Sequence, residues 1–165
     1  MKKEVFMKEV TGGRQESVSL STPTLMKELK ECLASTYVLY VKTQNFHWNV
    51  TGPSFYSLHL LSEKQYEELG EAVDEIAERI RALGEKAPAS LDEFKNLSSL
   101  EEKHEEHTGY ELLAILIEDH KRLALDLRKK VETANEEGDP GTADLFTRRA
   151  LDHEKYAWML ASHVA

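Results

Sequence analysis

The sequence predicts an all-α protein: four long helices bundled as one domain, with a short extra helix in the connection between helices two and three. Three observations predict it. Apolar residues recur at three- and four-residue steps through four segments, and no segment alternates with period two. Each segment opens on a capping residue or a proline, and the first three close on glycine. The 165 residues suit one core, and 41% hydrophobic with 31% charged residues fits a folded helical chain better than a disordered one.

Thr22-Pro23 opens the first helix with an N-cap and a proline at the first position. Leu25, Leu29, Cys32, Thr36, Tyr40, Thr43 and His47 form its inward register. Gly52 is expected to end it and Pro53 to be the first residue of the second helix. That helix carries Phe55, Leu58, Ser62, Tyr66, Leu69, Val73, Ile76, Ile80 and Leu83 as its apolar stripe, with stops at Gly84 and Pro88. Ser90 and Glu93 read as a capping box, predicting the short helix near Leu91–Leu97. Thr108 with Glu111 is a second capping box, opening a helix with Leu112, Leu113, Leu116, Leu123 and Leu127 that stops at Gly138. Asp139-Pro140 caps the last helix, whose apolar positions are Leu145, Phe146, Trp158 and Leu160. The one long link, Gly84 to Thr108, separates two helical hairpins, which is ferritin-like topology. Residues 1–21 lack an apolar period and are expected to be a mobile tail, with the domain at 22–165.

A net charge of −9 repels nucleic acid and anionic lipid and attracts cations. Cys32 is the only cysteine, so neither an intrachain disulfide nor a thiolate zinc site can form, and its apolar surroundings mark it as core. The N-terminal MKKEVFMKEV has no apolar run of the signal-peptide kind, and no stretch is long enough to span a bilayer. A reducing cytoplasm is the expected location.

His47, His59, Glu63, Asp74 and Glu78 are the metal-ligand candidates. His59/Glu63 and Asp74/Glu78 are i, i+4 pairs on one edge of the second helix, and His47 holds an inward position on the first. The two helix-two pairs cannot share a metal within one chain: 15 residues separate His59 from Asp74, about 22 Å of helix against metal–ligand bonds of about 2 Å. Either they are two weak half-sites or the halves meet across a dimer axis. The arithmetic favours the axis. The midpoint of His59 and Glu78 is 68.5, and so is that of Glu63 and Asp74. An antiparallel two-fold crossing therefore sets each residue of one copy opposite its counterpart in the other. Gly70, in mid-helix near that crossing, fits a close approach of two backbones. Imidazole with carboxylate suits iron, manganese or zinc.

HWNVTGPSFYSLH, then Glu63 and DEIAERIRALG, closely resembles the paired signatures of the Dps family of mini-ferritins, and the likeness runs over about residues 22–163, including TADLFTRRALDHEKYAW. The resemblance implies a hollow dodecamer built from two-fold dimers. It implies ferroxidase sites with His47 and His59 from one subunit and Asp74 and Glu78 from its partner. Glu63 matches a position that is commonly Asp, so the carboxylate reaches one methylene further. Trp48 matches a tryptophan beside the family's site, an electron donor or radical trap; a tryptophan near a helix end also serves as an interface anchor. The implied chemistry is oxidation of Fe(II) by hydrogen peroxide, less readily by dioxygen, with Fe(III) oxyhydroxide stored in the shell as protection against oxidative stress.

The resemblance also places Asp139 and Asp144 at an iron pore through the shell, although Arg148 stands where a third acidic residue is expected. DNA binding would need the tail, where Lys2, Lys3, Lys8 and Arg14 outweigh Glu4 and Glu9 by +2; the acidic body opposes it, and it is not favoured. The remaining histidines, His104, His107, His120, His153 and His163, are scattered, with His104/His107 read as solvated charge.

Overall fold

In the computed structural model, which describes residues 21–101 and 109–164, the chain folds as α1 (Pro23–Asn49), α2 (Phe55–Ala82), α3 (Leu91–Leu97), α4 (Gly109–Glu136) and α5 (Pro140–Ala161). No strand occurs among the described residues. The caps do what their chemistry predicts. Thr22 Oγ1 accepts from Leu25 N at 3.2 Å, and Ser90 Oγ accepts from Glu93 N at 3.2 Å while donating to Glu93 Oε2 at 2.9 Å. The Ser90 hydroxyl, with the Ala89 N–H, holds the Glu93 carboxyl below its ordinary range.

α2 and α4 both end in a Schellman turn. Gly84 N donates to Arg81 O and Glu85 N to Ile80 O; Gly138 N donates to Asn135 O and Asp139 N to Ala134 O. The glycines take φ of +95° and +74°, a left-handed step that spares any Cβ.

Two boundaries differ from expectation. α1 ends at Asn49 with Val50 extended, and α2 starts at Phe55 rather than Pro53. Gly52, at φ +101°, reverses the chain, and its carbonyl accepts from Phe55 N at 3.0 Å. Pro53 is thus used inside the turn. Two apolar residues also fall outside the core. Phe55 is 44% exposed at the overhanging first turn of α2. Trp158 is 68% exposed because Leu160 faces inward, and two residues along a helix is a rotation of roughly 200°. The Thr108 cap, the His104/His107 pair and the tail through residue 20 lie outside the described residues.

Packing is densest within the α1–α2 and α4–α5 hairpins. One core cluster centres on Leu29, Ile76, Ile80, Phe146 and Leu127, the other on Leu39, Phe46, Leu69, Leu113 and Leu160. Cys32 belongs to the first, and burial pushes its thiol up to about 11, leaving it inert. Ion pairs tie the hairpins together: Lys42–Asp119 and Lys130–Glu31 join α1 to α4, while Arg79–Asp139, Arg148–Glu75 and Arg149–Glu68 join α2 to α5. α3 docks on α1 by stacking Phe94 on Tyr37, with ring centroids 4.4 Å apart.

Candidate metal centre

The α1–α2 turn brings the last turn of α1 against the first turns of α2, and with them His47 and His59. Their rings stack at 3.8 Å between centroids, 18° from parallel. Each ring is tied to the other residue's backbone: His47 Nδ1 to His59 O at 2.9 Å, and His59 Nδ1 to His47 O at 3.0 Å. A carbonyl oxygen can only accept, so both Nδ1 atoms carry hydrogen and both Nε2 atoms keep a free lone pair. That is the tautomer a metal ligand needs, and a backbone carbonyl on the other nitrogen is the usual way to hold it. His47 is buried, His59 half-buried. Ser62, fully buried, donates to Leu58 O at 2.7 Å and lies 3.4 Å from His47 Nδ1, and Tyr66 stands edge-on to the His47 ring at 5.2 Å. Phe55 stacks on His59 at 5.1 Å, which is what its exposed position does.

Glu63 lies half-buried one turn after His59. Asp74 and Glu78 are exposed far down the same unbroken helix, and neither makes a hydrogen bond or salt bridge among the described residues. Within one chain, the described residues bring no three His, Cys, Asp or Glu groups together as a metal site. One subunit thus presents a histidine pair at one end of α2 and a carboxylate pair toward the other. Around the histidines, Trp48 (68% exposed), Phe55, Tyr56 and Leu60 leave apolar rings and side chains in the open. Among the described residues Gly70 meets only the Tyr40 ring, where a Cβ would make an ordinary 3.7 Å contact.

A profile of the ferritin-like domain family matches residues 26–165. A Bacillus anthracis protein named DNA protection during starvation protein 2 is 36% identical over 136 residues, covering 82% of this chain and 93% of its own length. The chain belongs to the Dps family. An uncharacterized low temperature-induced protein of Nostoc (all0458) is 42% identical over 142 residues, with 82% of this chain and 77% of that one covered. A solved Dps structure from Vibrio cholerae O1, described as a member of a broad superfamily of ferritin-like diiron-carboxylate proteins, superposes with a TM-score of 0.80 at 30% identity, covering 86% of this chain and 89% of that one. The Dps fold, with five helices among the described residues and a long crossover between the second and fourth, is therefore the fold of this chain.

The Dps chain engages the two expected pore residues internally. Asp139 caps α5, its carboxylate accepting from Thr142 N (3.0 Å), Thr142 Oγ1 (2.6 Å) and Arg79 Nη2 (2.6 and 2.7 Å). Burial works to raise its pKa, but Thr142 and Arg79 outweigh that and hold the carboxyl below its ordinary value. Gly141 gives the guanidinium room, since a Cβ there would sit 3.3 Å from Arg79 Nη2. Asp144 is exposed and bonded to Arg148 Nε at 3.0 Å, and Arg148 also grips Glu75.

The Dps bundle holds a second histidine pair that periodicity did not reveal. His120 on α4 and His153 on α5 are fully buried with Nδ1 atoms 2.9 Å apart. Burial pushes His120 down to about 3, helped by the Arg149 cation, and drives His153 well below its ordinary value, with His120 and Arg149 adding to the effect. His120 and His153 are 33 positions apart, so no local spacing joins them.

No helix of the described residues is long and apolar enough to cross a membrane.

Proposed function

We propose that this Dps protein is a ferroxidase and iron store whose reactive sites form only between two subunits. The single observation that carries this is the His47–His59 pair: two stacked imidazoles, both locked in the tautomer that offers Nε2, in a group that the described residues of one chain do not complete as a metal site. Laid antiparallel across a two-fold axis, α2 supplies the missing half. His47 and His59 of one copy, with Glu63, face Asp74 and Glu78 of the other, and the exposed rim of Trp48, Tyr56 and Leu60 is the apolar surface such a contact would cover. Gly70 near the axis lets the two helices approach closely.

Iron is the substrate. The imidazoles bind Fe(II), and the surrounding carboxylates favour the extra charge of Fe(III). Two Fe(II) give one electron each to hydrogen peroxide, whose O–O bond is cleaved to two waters as two protons are taken up. Dioxygen is the slower oxidant. Fe(III) hydrolyses to oxyhydroxide in the cavity of a dodecamer, which removes iron and peroxide together from a cytoplasm under oxidative stress. Asp144, the more exposed of the two pore candidates, is the better placed to guide cations inward; Asp139 is committed to Arg79 and to the α5 cap. DNA binding through residues 1–21 is not favoured on an acidic body.

Mixing tests the intersubunit assignment. A His47→Ala/His59→Ala protein and an Asp74→Ala/Glu78→Ala protein should each be inactive in peroxide-driven Fe(II) oxidation. Unfolded and reassembled together, half the pairs are mixed and each mixed pair has one of two sites intact, so roughly a quarter of wild-type rate should return. Activity in either parent, or none in the mixture despite reassembly, would refute the shared site.

A further inference from the structure

One solvent-facing side of the α4–α5 hairpin carries an apolar groove. Its floor is built from small residues: Ala124 of α4 with Ala157 and Ala161 of α5 leave a slot of about 420 Å³ between the two helices. Leu125 and Trp158 form the walls, 60% and 68% exposed, and the exposed Arg128–Glu154 ion pair bridges the rim. Leu151, two turns before Trp158 on α5, continues the apolar stripe and is 58% exposed. Single exposed apolar residues are ordinary, but a slot with an apolar floor and walls is a surface that a second body covers.

We propose that residues 5–10 of the tail seat in the α4–α5 groove of their own chain, with Phe6 as the anchor against Trp158. Val5, Phe6, Met7 and Val10 fall within six positions, and Phe6 is the one aromatic residue before Thr22. None of the four has a place in the apolar register of the helices. Residues 11–21 follow with Gly12, Gly13, Ser17, Ser19 and Ser21, the composition of a tether. The tether meets the bundle at Thr22, whose hydroxyl donates to Glu137 just past the end of α4. Leu125 lies 12 residues before Glu137, about 18 Å along the helix. Eleven tether residues span up to ~36 Å, enough to include a path of about 10 Å round α4. Charge also fits. Lys3, Glu4, Lys8 and Glu9 flank the apolar residues, so a segment with both signs meets a rim with both signs, Arg128 and Glu154. Seated there, the tail covers the Trp158 and Leu125 walls and holds its lysines on the face of its own subunit. The seat does not depend on the ferroxidase reading.

The test uses assembled, full-length protein carrying two added cysteines; Cys32 is buried and does not compete. Met7→Cys with Lys121→Cys sets one thiol beside the anchor and the other on the groove rim. Met7→Cys with Asn135→Cys is the control, because Asn135 is exposed and nearer the point where the tail leaves the bundle. Under mild oxidation the first pair should form an intrachain disulfide about tenfold faster than the second, the effect of a raised local concentration. Adding Phe6→Ser should bring it down to the control rate. Non-reducing gels and peptide mass spectrometry read both. In the otherwise wild-type chain, Phe6→Ser should increase acrylamide quenching of tryptophan fluorescence as Trp158 loses its cover. Equal rates for the two pairs, a rate indifferent to Phe6→Ser, or unchanged quenching would overturn the seat. Cross-links mainly between chains would give the groove to a neighbour's tail. A Lys121→Cys thiol closed to a small thiol reagent even with Phe6→Ser would give it to the body of a second copy. Either result overturns docking within the chain.

Discussion

His47 and His59 join α1 to α2 much as His120 and His153 join α4 to α5, yet the two pairs are wired in opposite senses. In the first, both Nδ1 atoms donate to backbone carbonyls, which cannot titrate or rotate away, and both Nε2 lone pairs are left for a ligand. In the second, one Nδ1 must donate to the other, the rings are sealed in the core, and the Arg149 cation lies near enough to repel any further positive charge. No carboxylate is placed to offset it: Arg149 itself binds the nearby Glu68 and Asp152, and Tyr156 is a neutral phenol pushed up to about 12 by burial and then by Glu68 and Asp152. Two imidazoles across a helix pair are therefore not a metal site in themselves. What the remaining nitrogens face decides it.

Removing each pair in turn should break the comparison most visibly. His47→Ala/His59→Ala should lower catalysed Fe(II) oxidation by on the order of 100-fold or more, since even the partners behind metal ligands are worth 10–100-fold. His120→Leu/His153→Leu should leave the stopped-flow rate of a folded, assembled protein near wild type. A large loss in the second variant, with circular dichroism unchanged, would mean that the buried pair takes part in the chemistry.

Acid should discriminate them next. The folded-state values of His120 and His153 lie below the ordinary 6.5. As pH falls through 6.5 the unfolded chain takes up protons that the folded core refuses, so stability declines from pH 6.5 toward 3. Between pH 7 and pH 5 this amounts to about 2 kcal/mol for each histidine. Urea midpoints at the two pH values measure it. The Leu/Leu variant should flatten the decline, because replacing both hydrogen-bond partners by apolar groups can be nearly neutral. An equally steep decline in that variant would trace acid sensitivity to other groups.

Much of this was legible in the sequence, for identifiable reasons. Helix ends written in local chemistry read correctly: α3 spans the seven residues that Ser90 and Glu93 announce, and Gly84 and Gly138 stop their helices through positive φ. Pro53 misled because a proline after glycine suits a turn as well as a first helical position. Trp158 misled because apolar type was read without its angle round the helix. Of the proposed metal site, α2 spacing already favoured a second copy over two half-sites, and the structure adds the tautomer lock, which depends on carbonyls from residues 12 apart and has no sequence mark. His120 with His153, and Arg79 with Asp139, are joined only by tertiary packing, so the sequence left the two histidines as scattered and Asp139 as a cap and pore residue without its arginine.

Carboxylates repeat the histidine contrast at smaller scale. Asp139 is locked by Thr142 and Arg79, so Asp139→Ala should cost about 1–2 kcal/mol from the lost cap alone. Its stabilising effect is present above the unfolded-state value and is lost as pH falls through the lower folded one. Thermal unfolding of Asp139→Asn beside Asp139→Ala would separate the cap, which Asn retains, from the charge. Equal melting of all three proteins would show that the clamp contributes nothing.

Glu75 sits between Asp74 and Glu78 in sequence but not in circumstance. Arg148 holds it, and that hydrogen bond keeps its carboxyl below the ordinary range, whereas Asp74 and Glu78 have no partner among the described residues. The bond is nearly half exposed, so Arg148→Ala should change stability by less than about 1 kcal/mol, and high salt should erase even that. The informative readout is electrostatic. Freeing Glu75 and Asp144 together adds two unpaired carboxylates to this exposed face of the chain, so Fe(II) uptake at low salt should quicken in Arg148→Ala and converge with wild type as salt rises. If uptake is unchanged at low salt, cations do not pass this surface on their way in, and Asp144 loses its claim to the pore.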